Sequence, residues 1–300
     1  MNSCKPYQYI LQIIQDESIS IAAESLHISQ PALSKYVHKI EKEFGATIFD
    51  RSTVPISLTD AGKCYVEASR KILDVNKQLQ KELDEINNEK NECIRVGISP
   101  SRAPYLLPYI LHSFDEENKA RIVIVEATTT ELNSMLSTGE LDLIISITES
   151  SIPENFCKVH LFDEDILLAI PRRCGAISFD EALTNNSMIS SGIGQPMWNI
   201  LSVIIDRMKL PPPRYECQNM FTAIQLADDG LGVTLVPSYM RDFGPDMENV
   251  QFLSVPKDYG DLKREVCIFY RREQYLSKSE KEFIKCATDS IKGAKAQEEI

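Results

Sequence analysis

The sequence predicts an α-helical N-terminal part, a winged helix-turn-helix with a long linker helix, joined to a C-terminal bilobed α/β domain. Three observations predict it. Residues 18–45 spell two short helices around a tight turn, one narrow apolar stripe runs from Ala61 to Ile86, and strand-like and helix-like segments alternate from Cys93 onward. A chain of 300 residues is long enough for two domains.

Residues 5–16 form the first expected helix, with Tyr9, Ile10, Ile13 and Ile14 as its apolar side. Ser18 is an N-cap for a second helix that carries the small pair Ala22 and Ala23 and closes at Leu26. His27-Ile28-Ser29 then make the turn, with His27 a candidate for left-handed backbone. Ser29 caps the third helix, Pro31 sits in its first turn where a missing N–H costs nothing, and Gly45 stops it. Leu33, Val37, Ile40 and Phe44 fall on one face at helical spacing, and Gln30, Ser34, Lys35, His38 and Lys42 fall on the others. The stretch 47–58 reads as two short strands around a turn at Ser52-Thr53-Val54-Pro55. Helix-turn-helix plus hairpin makes a winged helix, whose Arg51, Ser52 and Thr53 would lie over a nucleic-acid backbone or minor groove. The plainer alternative for Arg51 is a surface ion pair with Asp50 or Asp60.

Thr59 caps the next helix, with Asp60 in its first turn. Ala61, Tyr65, Ala68, Ile72, Val75, Leu79, Leu83 and Ile86 recur at steps of three and four. So narrow a stripe on so long a helix reads as a coiled-coil seam between two subunits, with Tyr65, Ala68, Ile72, Val75, Leu79 and Leu83 as its contacts. A helix lying against its own domain is the alternative. The charged stretch from Lys81 to Asn91 marks a hinge. Beyond it, strands are expected at 94–99, 121–126, 141–147, 166–170, 187–190, 232–236, 250–255 and 265–270. Helices are expected at 104–114, 131–138, 198–208, 221–228 and 279–292. Such alternation implies parallel sheets covered by helices, folded as two lobes with chain crossings near 165–170 and 265–270. The expected division is 1–58 (helix-turn-helix 18–44), 59–90 and 91–300, with lobe I about 91–165 and 268–300 and lobe II about 166–267.

The net charge is −12, and residues 1–90 hold 11 Lys+Arg against 13 Asp+Glu. Between His27 and Lys71 the balance turns basic, 7 to 5. One such domain would hold DNA weakly, which makes pairing of subunits necessary. No apolar run is long enough to span a bilayer and the N-terminus lacks signal-peptide features, so a cytoplasmic protein is expected. The eight cysteines are scattered without C-x-x-C or metal-like spacing, and reduced, mostly buried thiols are expected. No Gly-rich phosphate loop, nucleophile elbow or metal-ligand spacing occurs, and His112 and His160 lack catalytic neighbours, so no enzyme, catalytic residue, metal or cofactor is expected.

AAESLHISQPALSKYVHKIEKEFG, IFDRS and ISLTDAG, followed by GELDLII at 139–145 and DDGLGVTLVP at 228–237, resemble the LysR-type transcriptional regulators over the full length. The resemblance implies a winged helix and linker helix followed by an effector-binding domain similar to a periplasmic binding protein. It implies a homodimer or homotetramer on an inverted-repeat operator, a contact with RNA polymerase, and a small-molecule effector of unknown identity. Gln30, Pro31, Ser34, Lys35 and His38 match the positions facing the major groove, and Lys42 is placed to reach phosphate. Ser99, Ser101, Arg102, Thr128, Thr129, Thr130, Ser190, Ser191, Asn219 and Pro237 match the effector pocket. Hydroxyls ahead of helix N-termini serve equally as caps; Arg102 is the pointed candidate for clamping a carboxylate. Gln195-Pro196 stand where many relatives carry arginine, which argues against a dicarboxylate. Two alternatives remain: a thiol redox sensor on the same scaffold, with Cys174 beside Arg172-Arg173 and Cys217 as the next cysteine, and a coiled-coil ligand-binding protein without DNA.

Overall fold

A computed structural model describes residues 5–53, 55–86, 92–117, 120–148, 153–175, 178–191, 196–244, 247–260 and 262–298. Cys4, Val54 of the wing turn, the 87–91 part of the expected hinge and Gln195 lie outside the described residues. Two units result: Met1–Glu92 with Asn133–Asp142, and Cys93–Leu132 with Leu143–Ile300.

In the first unit, α1 (Lys5–Gln15), α2 (Ile19–Ser25) and α3 (Gln30–Phe44) bury Ile10, Ile13, Ala22, Ala23, Leu33, Val37 and Ile40 in one core. Ser18 caps α2, its hydroxyl accepting from Ile21 N at 3.4 Å. His27 turns the chain at φ 54°, and Gly45 ends α3 at φ 65°. Ser29 has the extended backbone of an N-cap, but its hydroxyl makes no capping bond. Phe44 departs from the expected buried face. It is 62% exposed and meets the Tyr65 ring edge-on at 5.3 Å. The wing strands β1 (Phe49–Asp50) and β2 (Ser57–Leu58) pair antiparallel.

Helix α4 (Asp60–Ile86) starts on Thr59, whose hydroxyl accepts from Gly62 N at 2.9 Å. Gly62, Val66 and Ser69 form its inner face, and a Cβ at Gly62 would run into the Ile48 carbonyl. The outer face holds most of the sequence stripe: Ile72, Val75, Leu79, Leu83 and Ile86 are between 41% and 70% exposed, whereas Tyr65 is half-buried and packs on the core of its own unit beside Tyr7 and Phe44. Such a row is an exposed apolar face of the kind that marks an interaction surface. Residues 138–142 also lie against α4 within this unit. Lys77 and Lys81 reach Asp142 at 2.7 and 2.8 Å, and Arg70 reaches Glu140 at 2.8 Å. Burial pushes the Asp142 carboxyl up, but the ammonium groups of Lys81 and Lys77 outweigh it and hold the group below its usual range.

The second unit runs β3 (Cys93–Ile98), α5 (Ala103–Glu117), β4 (Arg121–Glu126), α6 (Thr129–Ser137), which ends in the first unit, and β5 (Leu143–Ile147). It continues through β6 (Phe156–Glu164), β7 (Ile166–Pro171), α7 (Phe179–Asn185), β8 (Ile189–Ser190), α8 (Pro196–Met208) and β9 (Tyr215–Glu216). It closes with α9 (Met220–Asp228), β10 (Thr234–Pro237), α10 (Tyr239–Asp242), β11 (Val250–Ser254), β12 (Arg264–Arg271) and α11 (Lys278–Glu298). One sheet has the order β4-β3-β5-β12-β6, a second β10-β7-β11, and β8 and β9 form a short parallel pair. Of the expected parallel sheets, the five-stranded one is mixed and the three-stranded one is antiparallel. β3 is parallel to β4 and β5, but β12 is antiparallel to β5 and β6, and β7 is antiparallel to both its neighbours. For β12 the reason is the double crossing, since a chain that leaves the first sheet and returns enters it from the other end. The crossings fall at Asp165 and within 255–263, so β12 belongs whole to the first sheet rather than from 268. Strand β6, helix α7 and the short β9 and α10 had no counterpart in the sequence pattern.

Candidate functional site

Two places in the chain gather the side chains that the sequence singled out. The first is the outward face of α3. Gln30, Pro31, Lys35, His38 and Lys42 are exposed and Ser34 half-buried, while Leu33, Val37 and Ile40 hold the helix down. Gln30 Nε2 donates to Ser34 Oγ at 2.9 Å, so the amide is oriented from its own helix. In the wing, Arg51 pairs with Glu41 at 3.2 Å rather than with Asp50 or Asp60. Glu41 also accepts from Ile48 N at 2.9 Å, which makes it the tie between α3 and the hairpin. Ser52 donates from N and Oγ to Asp50 Oδ1 at 2.9 and 2.6 Å, and these bonds hold the Asp50 carboxyl below its usual range. Thr53 Oγ1 lies 2.8 Å from Ser57 Oγ. The hydroxyls of Ser52 and Thr53 thus shape the turn, leaving Arg51 as its exposed cation.

The second place is a cleft of about 550 Å³ in the second unit. It opens where β3 and β4 end and where α5, α6, α8 and α9 begin, so carbonyl ends of strands and N–H ends of helices converge on it. Ser99, Ser101, Arg102, Thr128, Thr129, Thr130, Ser191, Asn219 and Pro237 all line it. Ser190 does not. It is fully buried at the end of β8. Capping claims two of the set. Thr128 and Glu131 form a reciprocal pair at the start of α6, with Thr128 N and Oγ1 donating to Glu131 Oε2 at 2.9 and 2.7 Å. Asn219 caps α9, accepting from Phe221 N at 2.8 Å. Ser191 is 5% exposed and its hydroxyl has no hydrogen-bond partner among the described residues.

Arg102 is 6% exposed and already engaged. Its Nη2 donates to Glu164 Oε1 at 2.8 Å, Nη1 to Ser99 Oγ at 3.4 Å, and its guanidinium lies 5.2 Å from the Tyr239 ring centre. Arg264 Nη2 reaches the same Glu164 oxygen at 2.5 Å. Burial lowers the Arg264 guanidinium from its ordinary value, and the Glu164 carboxylate opposes that shift. Burial also pushes up the Tyr239 phenol, which therefore stays protonated at neutral pH. Glu164, Arg264, Tyr239, Asn199 and Gln218 were missed by sequence reasoning. Glu164 ends one strand and Arg264 opens another, and no local pattern ties either to Arg102.

The thiols are placed differently from expectation. No disulfide joins the described cysteines, and only Cys267 and Cys286 among them are buried. Cys174 Sγ donates to Asn186 Oδ1 at 3.3 Å, the neighbouring Arg173 donates to the Gly230 carbonyl, and burial pushes the Cys217 thiol up, away from thiolate. His112 and His160 are exposed, His160 beside Asp163 at 3.0 Å. Among the described residues no cluster of His, Cys, Asp and Glu could hold a metal ion, and no helix is long and apolar enough to cross a membrane.

Comparison with known proteins gives two family matches. Residues 5–63 match the bacterial regulatory helix-turn-helix protein, lysR family, and residues 87–292 match the LysR substrate binding domain. The uncharacterized HTH-type transcriptional regulator YcgK of Bacillus subtilis is 26% identical over 317 residues, covering 96% of this chain and 94% of that protein. The DNA-binding transcriptional dual regulator OxyR of Escherichia coli is 32% identical over 165 residues, a match that spans 54% of this chain and 53% of OxyR. A full-length OxyR variant from Pseudomonas aeruginosa superposes with a TM-score of 0.69 at 25% identity, covering 97% of this chain and 95% of that one.

Proposed function

The chain belongs to the LysR family of DNA-binding transcriptional regulators, and from that premise we propose how its own residues divide the work. Helix α3 reads the major groove of an inverted-repeat operator through Gln30, Ser34, Lys35 and His38, with Pro31 at its entry. Lys42 and Arg51 contact phosphate, and the wing turn at Ser52 and Thr53 approaches the backbone. Two subunits pair along the exposed row from Ala68 to Leu83. A small molecule in the cleft between the lobes shifts their closure and so the spacing of two reading helices. RNA polymerase is a further partner, the compartment is the cytoplasm, and neither turnover nor a cofactor is part of the activity.

The observation that supports this reading most is the pairing, in one chain, of an exposed polar reading face with a cleft onto which nine of the ten expected effector residues converge. A reader without basic excess needs a second copy, and the row on α4 offers the means. The thiol-sensor reading draws on the OxyR likeness, but Arg173 is turned to a carbonyl and Cys217 is biased toward the thiol. The test is fluorescence anisotropy of the full chain on DNA upstream of its own gene at moderate salt. Operator fragments should bind in preference to scrambled DNA, and a cleft ligand should change that affinity. Equal binding to both would sink the proposal, and a peroxide response abolished by Cys174→Ser would replace its ligand with an oxidant.

A further inference from the structure

The cleft presents two guanidinium groups and no carboxylate among its described lining residues. Behind them Glu164 is fully buried, and its Oε1 takes one donor from Arg102 and one from Arg264. Two positive charges share one negative charge, so the cluster keeps a single positive charge inside a chain of net charge −12. An uncompensated charge in a desolvated setting is unfavourable, and evolution retains it where something else neutralises it. Unused hydrogen-bonding groups lie in the same cluster. Among the described residues the buried Nε–H groups of both Arg102 and Arg264 have no partner, and the Ser191 hydroxyl in the cleft wall has none. The second oxygen of Glu164 is equally unpartnered there, so a carboxylate already stands behind the arginines. The Arg102 guanidinium also lies 5.2 Å from the Tyr239 ring centre, and its flat fork suits a planar acceptor. Ile147, Met197 and Met220 give the same cleft an apolar side.

Resting on the reading of this cleft as the effector site, we propose that it takes a small monoanion, a carboxylate carried on an apolar body. Glu164 is the built-in counter-anion that limits the ligand to one negative charge. A single carboxylate brings the cluster to neutrality. A second charge would find no cation and would face Glu164. Phosphate monoesters, which carry about −1.5 to −2 at neutral pH, exceed what the cluster can balance.

The experiment uses the full chain and matched probes: butyrate, hexanoate and benzoate, their amides, their amines, and phthalate as a dianion. Thermal melting reads binding, and operator anisotropy is scored in the same samples. At least one monocarboxylate should raise the melting temperature, with its amide and amine silent at the same concentration and phthalate at least about ten-fold weaker, the worth of one charge-assisted hydrogen bond. Arg264→Gln leaves a neutral Arg102–Glu164 pair, and carboxylate affinity should fall about ten-fold or more. Glu164→Gln leaves two positive charges, and preference should swing toward phthalate, which loss of packing alone would not produce. If Glu164→Gln does not fold, the Arg264→Gln arm decides. An amide or amine that binds as tightly as its acid, silence from every probe, or unchanged carboxylate affinity in Arg264→Gln overturns the proposal. An amide that binds and shifts operator affinity overturns the charge assignment while leaving ligand control intact. A carboxylate that binds without touching operator affinity upholds the charge assignment and removes ligand control.

Discussion

Gln30 and Lys42 lie on the same helix and should fail differently. Gln30→Ala removes a bidentate amide and should relax specificity at one base position by about 1–3 kcal/mol, measured on single-base operator variants. Lys42→Ala should weaken operator and random DNA alike and lower the salt slope by about 1. Both residues were legible in the sequence because helical spacing fixes which side faces out. Glu41 was not, because its partners Ile48 and Arg51 lie across a turn that periodicity does not describe. Glu41→Ala strands the Ile48 amide and should cost about 1–3 kcal/mol locally, read as faster hydrogen exchange at Ile48 and Phe49. Arg102 shows the opposite failure. Its chemistry was legible, but the residue that occupies it comes from 62 positions away.

Among the elements, α4 carries two faces with separate duties. Val75 and Leu79 are 66% and 54% exposed, so Leu79→Glu should abolish self-association in sedimentation velocity without altering the helical circular dichroism. The inner side is tied by Asp142. Its carboxyl is held below the unfolded value of about 3.9, so it stabilises the fold at pH above that value and loses its contribution as pH falls through the lower folded one. Asp142→Asn should lower stability by about 1–3 kcal/mol at neutral pH, discounted because Lys77 and Lys81 are partly exposed, and should flatten the decline of melting temperature below pH about 4. Strand β6 explains what the pattern could not show. A bulge between Val266 and Cys267 shifts the register, so Leu161 and Phe162 are both buried and the alternation changes phase mid-strand. A period-2 reading loses such a strand, whereas RIVIVE at 121–126, with no bulge, was found to the residue.

For the molecule as a whole, weak single-domain reading and strong pairing are one design. The Leu79→Glu variant should bind a full operator about 100-fold or more weaker than the native chain yet bind an isolated half-site equally, since only the second, intramolecular contact is lost. Competition titrations on the two fragments check this. Domain order was legible because each domain has its own period, 3.6 for helices and strand-helix alternation for the lobes. Sheet direction was not, since it depends on where the chain re-enters a sheet after about a hundred residues. The bare apolar row on α4 also has a consequence in heredity. A copy of the gene damaged only in the reading helix still makes subunits that mate through that row, and they capture intact subunits into half-blind pairs. Lesions at Gln30 or Lys35 should therefore be dominant over the wild-type allele, while lesions at Leu79, which cannot mate, should be recessive.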